Sequence, residues 1–290
     1  MNRNVSSRYD EHIETLAFGL ECVDSMRASR VWRPISVRVE RAWQPRGGAF
    51  VELAAPQLTL ERHLSCLHAL RFRPGRVSHV ALRIEDPERR YVPRRLLVPL
   101  SSVATLVNVT TEPPTIELSS TAPPERQWPR GGRRVHLLPG AAYDLPAGAT
   151  VLRGRVTRDG KPVPWARIEA RSPGNASVMA RAHGDDRGEF VLVAGRATNG
   201  AELNLDERCT VSVYVPAGAN PGGGGDPPVP SLSNDDPLAG LPIERVTETG
   251  PEDPVSAAER NTDAWGPVAS SGPQPLRAGR TVSNTTIELA

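Results

Sequence analysis

Residues 151–195 read VLRGRVTRDGKPVPWARIEARSPGNASVMARAHGDDRGEFVLVAG. Short apolar-rich runs alternate here with turn formers, and each turn former has a physical task. Asp159-Gly160 supplies the positive φ of a tight turn, and Pro162 fixes an extended entry. Gly188, closing Asp185-Asp186-Arg187-Gly188, tolerates left-handed geometry before Phe190. The stretch predicts strands near 151–157, 165–171, 177–182 and 189–193, and a further strand is expected near 210–215.

Upstream, strict alternation carries the same message, because successive side chains of a strand point to opposite faces. Leu16, Phe18, Leu20 and Cys22 share one parity, as do Ile35, Val37 and Val39 against Ser36, Arg38 and Glu40. Leu64, Cys66, His68, Leu70 and Phe72 form another set, followed by Val80, Leu82, Ile84 and by Leu96, Val98, Leu100. Turn formers at Pro45 to Gly48, Pro74-Gly75 and Asp86-Pro87 separate them. Residues 14–101 therefore read as a first β-sandwich after an N-terminal tail, 1–13. The stretch 102–134 reads as a Pro-rich linker, with Pro113-Pro114, Pro123-Pro124 and one extended piece around Ile116 and Leu118. A second alternating series opens at Val135, so 135–290 reads as a second sandwich. Insertions near 216–234, which holds Gly222 to Gly225, and near 248–275 are expected to be flexible. Leu241 to Val246 and Thr281 to Leu289 have strand composition.

Composition agrees. The 290 residues are 38% hydrophobic and include 29 Pro and 25 Gly, too apolar for a disordered chain and too interrupted for long helices. No run approaches the roughly 20 apolar residues of a membrane span, and the first residues lack the apolar core of a secretory signal. A cytoplasmic location is the expectation. Cys22, Cys66 and Cys209 are odd in number and widely spaced, a poor disulfide framework that suits small buried thiols in a reducing compartment. The formal net charge of +2 hides an asymmetry: residues 1–134 are net basic and residues 216–290 net acidic, so the two can attract each other or polarise a partner surface.

The stretch 151–195 resembles the carboxypeptidase regulatory-like module, a small transthyretin-like β-sandwich. The resemblance is carried by Gly154-Arg155-Val156, by Asp159-Gly160-Lys161-Pro162-Val163-Pro164, by Ala166-Arg167-Ile168-Glu169 and by Asp185-Asp186-Arg187-Gly188-Glu189-Phe190. It implies a fold and no particular activity, since such modules are appended to peptidases, transporters, adhesins and structural proteins. A fainter echo runs through Arg33-Pro34-Ile35 and Val37-Arg38-Val39-Glu40, so two similar sandwiches in tandem are expected. The fold class is thus all-β: two transthyretin-like or immunoglobulin-like sandwiches, a Pro-rich linker, and long loops in the second. The layout from Asp86-Pro87 and Arg90-Tyr91-Val92-Pro93-Arg94-Arg95 to Leu137-Leu138-Pro139-Gly140 and Tyr143-Asp144-Leu145-Pro146 resembles accessory proteins of phage-tail-like contractile injection systems.

Catalytic readings find little support. His63, Cys66 and His68 are zinc-compatible types, but strand parity sends His63 to the face opposite Cys66 and His68. His183 with Asp185 and Asp186 reads as a turn whose carboxylates cap backbone N–H groups. The module shares its sandwich with intradiol dioxygenases and a purine-breakdown hydrolase, yet paired Tyr and His ligands are missing, and the hydrolase's terminal Tyr-Arg-Gly-Ser is replaced by Ile287-Glu288-Leu289-Ala290. The sequence contains no Gly-x-Ser-x-Gly, His-Glu-x-x-His, Walker or Cys-x-x-Cys motif. Metal and cofactor are not expected. Arg71, Arg73 and Arg76, and the set Arg89, Arg90, Arg94 and Arg95, lack the aromatic company of a nucleic-acid surface. Trp32 and Trp43 read as packing residues, and Trp165 as the exposed one. The expected partner-binding residues are therefore Arg89, Arg90, Arg94, Arg95 and Trp165, and the expected partners are other protein subunits of a larger assembly. The reading is a non-enzymatic structural or adaptor subunit, with a carbohydrate- or small-ligand-binding sandwich as the alternative and a metal-dependent enzyme last.

Overall fold

The computed structural model describes residues 16–54, 58–73, 75–100, 132–172, 177–196, 207–217, 226–246, 253–259, 264–270 and 274–289. Among them every regular element is a β-strand. The tail at 1–13 and nearly all of the expected linker, with Ile116 and Leu118, lie outside the described residues.

The first half contributes β1 (Leu16–Asp24), β2 (Ser29–Arg30), β3 (Ser36–Arg46), β4 (Ala49–Glu52), β5 (Leu58–Arg62), β6 (Leu67–Phe72), β7 (His79–Glu85), β8 (Arg94–Pro99) and β9 (Gly132–Leu137). In one sheet β1 pairs antiparallel with β6, parallel with β9 and, at its end, antiparallel with β2, while β5 flanks β6. The other sheet runs β8-β7-β3-β4, antiparallel throughout. Phe18, Leu20, Cys22, Leu70 and Phe72 from the first face meet Val80, Leu82, Ile84, Leu96 and Val98 from the second in one core. Alternation picks out these same residues, and burying each large apolar side chain stabilises by about 1.5–3 kcal/mol.

The second half contributes β10 (Ala149–Arg158), β11 (Lys161–Pro162), β12 (Arg167–Arg171), β13 (Val178–His183), β14 (Glu189–Arg196), β15 (Glu207–Pro216), β16 (Glu244–Arg245), β17 (Trp265–Ser270), β18 (Gln274–Leu276) and β19 (Thr281–Leu289). Here β10 pairs antiparallel with β14, parallel with β19 and, at its end, antiparallel with β11. The facing sheet runs β13-β12-β15-β17, with β18 continuing along β15. Ile168, Phe190, Leu192, Val211, Val213 and Ile287 lead its core. The plan is that of the first half: β1, β2, β3, β4, β6, β7, β8 and β9 match β10, β11, β12, β13, β14, β15, β17 and β19 in order and pairing. The parallel closing strand, β9 on β1 and β19 on β10, is the least common element of the shared plan.

Three expectations are corrected. Val135 does not open the second series: it pairs with Cys22 and lies in the first core. Leu64 does not sit on a strand face, because β6 starts at Leu67 and Leu64 projects from the preceding turn, 53% exposed. The described parts of the two insertions are packed. Within 248–275, Trp265–Ser270 pairs with β15. Residues 226–246 cross to the first half, where β16 adds a parallel strand beside β8 and Val229 and Ile243 cover Trp43, Ala81 and Leu97. Strands β7 and β8 are thus covered on both faces. A buried carboxylate, Asp24, ties the β1–β2 turn to the rest, accepting from the Tyr91 hydroxyl at 2.8 Å, the Tyr143 hydroxyl at 2.8 Å and the Met26 N–H at 2.8 Å.

Candidate functional site at the junction of the two halves

Two loops of like construction face the junction. Asp86 accepts from the N–H of Glu88 at 3.0 Å and of Arg90 at 3.0 Å, while the Arg89 N–H donates to the Asp86 carbonyl at 3.0 Å. Asp185 accepts from the N–H of Arg187 at 2.9 Å and of Glu189 at 2.9 Å, while the Gly188 N–H donates to the Asp185 carbonyl at 3.1 Å. In each loop the third residue after the aspartate is left-handed, with φ of 55° at Arg89 and 71° at Gly188. Glycine is required at 188, where a Cβ would stand 2.8 Å from the Val156 carbonyl oxygen. At Arg89 the same conformation carries strain. Asp185 thus shapes its turn as the sequence suggests, whereas Asp186 turns outward to Arg89 at 3.4 Å.

Between the loops lies a cleft of about 500 Å³ whose walls include Arg38, Arg83, Glu85, Tyr91, Trp165 and Asp236. Trp165 is 3% exposed, which corrects the expectation of an exposed indole. Its φ of 60° is costly for a bulky side chain, and three hydrogen bonds hold it there. The Trp165 N–H donates to the Asp185 carbonyl at 3.0 Å, its indole donates to Ala239 O at 2.9 Å, and its carbonyl accepts from the Trp265 indole at 2.8 Å.

The charges of the cleft satisfy one another. Arg83 donates to both oxygens of Asp236, at 2.8 and 2.7 Å, and to Glu85, which also accepts from Arg38 at 2.9 Å. The Arg83 guanidinium holds the Asp236 carboxyl below the usual carboxylate range. Arg90 makes two 3.0 Å side-chain bonds to Asp86, which raises the Arg90 guanidinium above its ordinary value.

Arg94 and Arg95 are interior, and this corrects their assignment to a partner surface. Arg94 has no exposed surface: it donates to Glu244 at 2.9 and 2.6 Å and to His136 O at 2.7 Å. Glu244 also accepts from Arg167 at 3.0 Å, so one carboxylate joins β8 of the first half to β12 of the second. Burial pushes the Glu244 carboxyl up, but Arg94 and Arg167 outweigh it and leave the group below its ordinary value. Burial pushes the Arg167 guanidinium down to about 10. Arg95 clasps Glu40 at 2.9 Å and donates to Leu241 O at 2.7 Å. The physical reason lies in Arg94-Arg95-Leu96-Leu97-Val98, a strand apolar on both parities: both faces are covered, and arginines there need internal acceptors.

Of the five expected residues, Arg89 stands exposed at the cleft mouth, Arg90 is half-buried behind it, Trp165 forms a wall, and Arg94 and Arg95 lie beneath. No protein-family model matches the chain, and a search of curated proteins gives no match. The site is therefore read from its own groups. Among the described residues, no histidine lines the cleft, and each of its carboxylates already serves an arginine. A general base needs a free lone pair and a pKa near the working pH, and this set offers braced ion pairs. Elsewhere, Cys66 and His68 are buried while His63 is exposed. Burial pushes the Cys209 thiol up to about 11. Among the described residues, no three His, Cys, Asp or Glu side chains converge to hold a metal ion.

A second surface feature was not anticipated. Trp32, expected to be a packing residue, is 67% exposed with the Arg33 guanidinium 4.4 Å above its ring. Leu64 stands on the neighbouring turn, which is stitched to the Trp32 segment by Ser65 Oγ donating to Val31 O at 3.2 Å and by the Ile35 N–H donating to Ser65 O at 3.1 Å. Val31 just before it is buried, but both residues lie outside the strands, so alternation carried no rule that places Trp32 outward.

Proposed function

We propose that the chain consists of two tandem transthyretin-like sandwiches and serves as a non-enzymatic structural or adaptor subunit of a larger protein assembly, of the phage-tail-like kind that the resemblance implies. The repeated strand plan supports the fold reading. The observation that carries the functional reading is the exposed Trp32 beside Leu64, a large aromatic and an aliphatic side chain left in water by a chain that buries Trp43, Trp165 and Trp265. Exposed tryptophan with arginine beside it is the composition of an interface hot spot. Braced ion pairs across the cleft give such a subunit a fixed shape. Arg89 at the mouth, exposed and held among the described residues only by Asp186 at 3.4 Å, is placed to exchange that contact for an acidic partner's.

The test is affinity purification of wild type and of the Trp32→Ser, Leu64→Ser double variant from the native host, read by mass photometry and mass spectrometry. Recovery of a large particle with defined tube-like or sheath-like subunits by wild type, and its loss in the variant, is the expected result. A clean monomer in both preparations would sink the reading. One observation favours a second reading, a glycan or small-ligand site: the cleft is concave and bounded by Trp165 and Tyr91 among polar groups. Both rings are buried in the wall, so stacking on them would require opening. A glycan panel that raises the melting temperature of wild type would favour this reading over the first.

A further inference from the structure

Among the described residues one arginine stands apart. Every other described arginine that is buried or half-buried has a carboxylate within 4.0 Å, among them Arg83, Arg90, Arg94, Arg95, Arg133 and Arg181. Arg153 on β10 is half-buried and has none. One Nη donates to Ala141 O at 3.4 Å, and its Nε is shut off from solvent with no acceptor. A guanidinium in that position lacks a counter-charge.

Its surroundings are concave. A groove of about 480 Å³ is lined by Arg153, Arg155, Ser283, Asn284, Thr285 and Thr286. The groove exists because the parallel ladder between β10 and β19 breaks register between Leu152 and Gly154, where Val282 and Thr285 are the successive partners. Ser283 and Asn284 bulge from the ladder, with Asn284 left-handed at a φ of 62°. Bulges of this kind re-aim side chains and recur beside binding sites. Gly154 permits the close approach, since a Cβ there would lie 2.2 Å from the Thr285 carbonyl oxygen. The acid at the rim, Glu189, is neutralised by Arg155 at 2.7 Å and Arg187 at 3.3 Å.

We propose that this groove binds a small oxyanion of the phosphate or sulfate type, with Arg153 supplying the charge and the hydroxyl and amide groups of 283–286 supplying neutral donors. A cation would meet the uncompensated guanidinium, and an apolar ligand would leave it unpaired. Guanidinium with neutral donors is the donor set that such oxyanions select. This groove borders the junction cleft, since Ala141 lines both, but it draws on none of the cleft's charged groups, and the proposal stands whether or not the adaptor reading does.

The full chain is titrated with inorganic phosphate, sulfate and acetate at constant ionic strength, using calorimetry and amide chemical shifts. Phosphate and sulfate are expected to saturate one site per chain in roughly the millimolar range, with shifts centred on β10 and β19. Arg153→Gln should weaken binding at least about tenfold, a loss of about 1.4 kcal/mol. The exposed Thr286→Val should weaken it by a smaller factor, and Arg62→Gln, at an exposed arginine on β5, should leave it unchanged. Thr286→Val keeps the test valid if Arg153→Gln does not fold. The proposal is overturned by shifts no larger than those of matched chloride, by equal binding in Arg153→Gln or Thr286→Val, or by acetate binding as tightly as phosphate.

Discussion

Arg94 and Glu244 form a two-point ion pair with nitrogen–oxygen distances of 2.9 and 2.6 Å, essentially closed to water, although 150 residues of chain separate them. Glu244 is also the acceptor for Arg167, so two guanidinium groups depend on one carboxylate.

Glu244→Ala should therefore cost about 3–5 kcal/mol, the range for stranding a buried charge. Replacing all three together, with Arg94→Met, Arg167→Met and Glu244→Leu, should recover part of that loss, because the desolvation cost disappears with the charges while the carbonyls of His136, Val255 and Ser256 lose their Arg94 donor. Urea unfolding of wild type and the two variants measures both effects. A loss below about 1 kcal/mol for the single variant would mean that water reaches the pair.

Stability should fall in two steps with acid. Burial holds His68, His79 and His136 below the ordinary imidazole value of 6.5, so the unfolded chain takes up protons on them first. Their contribution is complete above 6.5 and declines as pH falls from there through the lower folded-state values. Glu244 and Glu169 lie below the ordinary value of 4.5 despite burial, Glu169 through Arg171 and Arg181, so their contribution persists above that value and is lost as pH falls through the folded-state values. Urea midpoints that stay flat from about pH 7 to 5 would contradict the histidine step, and Glu244→Gln should flatten the second.

Gly154→Ala should force β10 and β19 apart, because the new methyl would meet the Thr285 carbonyl oxygen at 2.2 Å and the Phe190 ring at 2.9 Å. A loss of about 1–3 kcal/mol or more is expected, as for overpacked cores. Gly266→Ala serves as the control, since among the described residues nothing lies within 4 Å of the position its new methyl would take. Equal melting temperatures for the two variants would refute the tight approach.

Removing either phenol from Asp24 should be felt. Tyr91→Phe and Tyr143→Phe should each cost about 1.5–3 kcal/mol, the range for hydrogen bonds to a charged group. Burial and the bond to Asp24 both push the two phenols above the ordinary value of 10, so neither should ionise in an ultraviolet titration until the fold opens. A phenol titrating normally would place it in solvent.

Alternation made most of the fold legible, since residues such as Leu82, Ile84, Leu96 and Val98 reach one core by parity alone. It was silent on partners. Val135 has the pattern of any strand, and only its pairing with Cys22 assigns it to the first half. The site was half legible. Asp185 before Gly188 declares its turn locally, whereas Asp236 follows a stretch read as a flexible insertion and Glu244 lies in a short run of strand composition whose partner nothing local names, and their arginines lie far away in sequence. The clue available was the run Arg94 to Val98: two adjacent arginines point to opposite faces, and apolar neighbours on both parities mean that neither face is solvent. Trp165 misled because the side it shares with Arg167 and Glu169 is not solvent: both of those are buried too, and Leu238, Leu241 and Trp265 pack around the indole.

The parallel strand β16 beside β8 bears on the order in which the protein is made. Synthesis runs from the N-terminus, so β8 leaves the ribosome long before Glu244 and Leu241 exist. Until then Arg94 lacks its carboxylate, and burying it would strand a charge, whereas Arg95 already has Glu40. That edge of the first-made half therefore gains its buried ion pair only once the second half has been translated. A gene that exchanged either half for a foreign one would have to supply a carboxylate at the same edge.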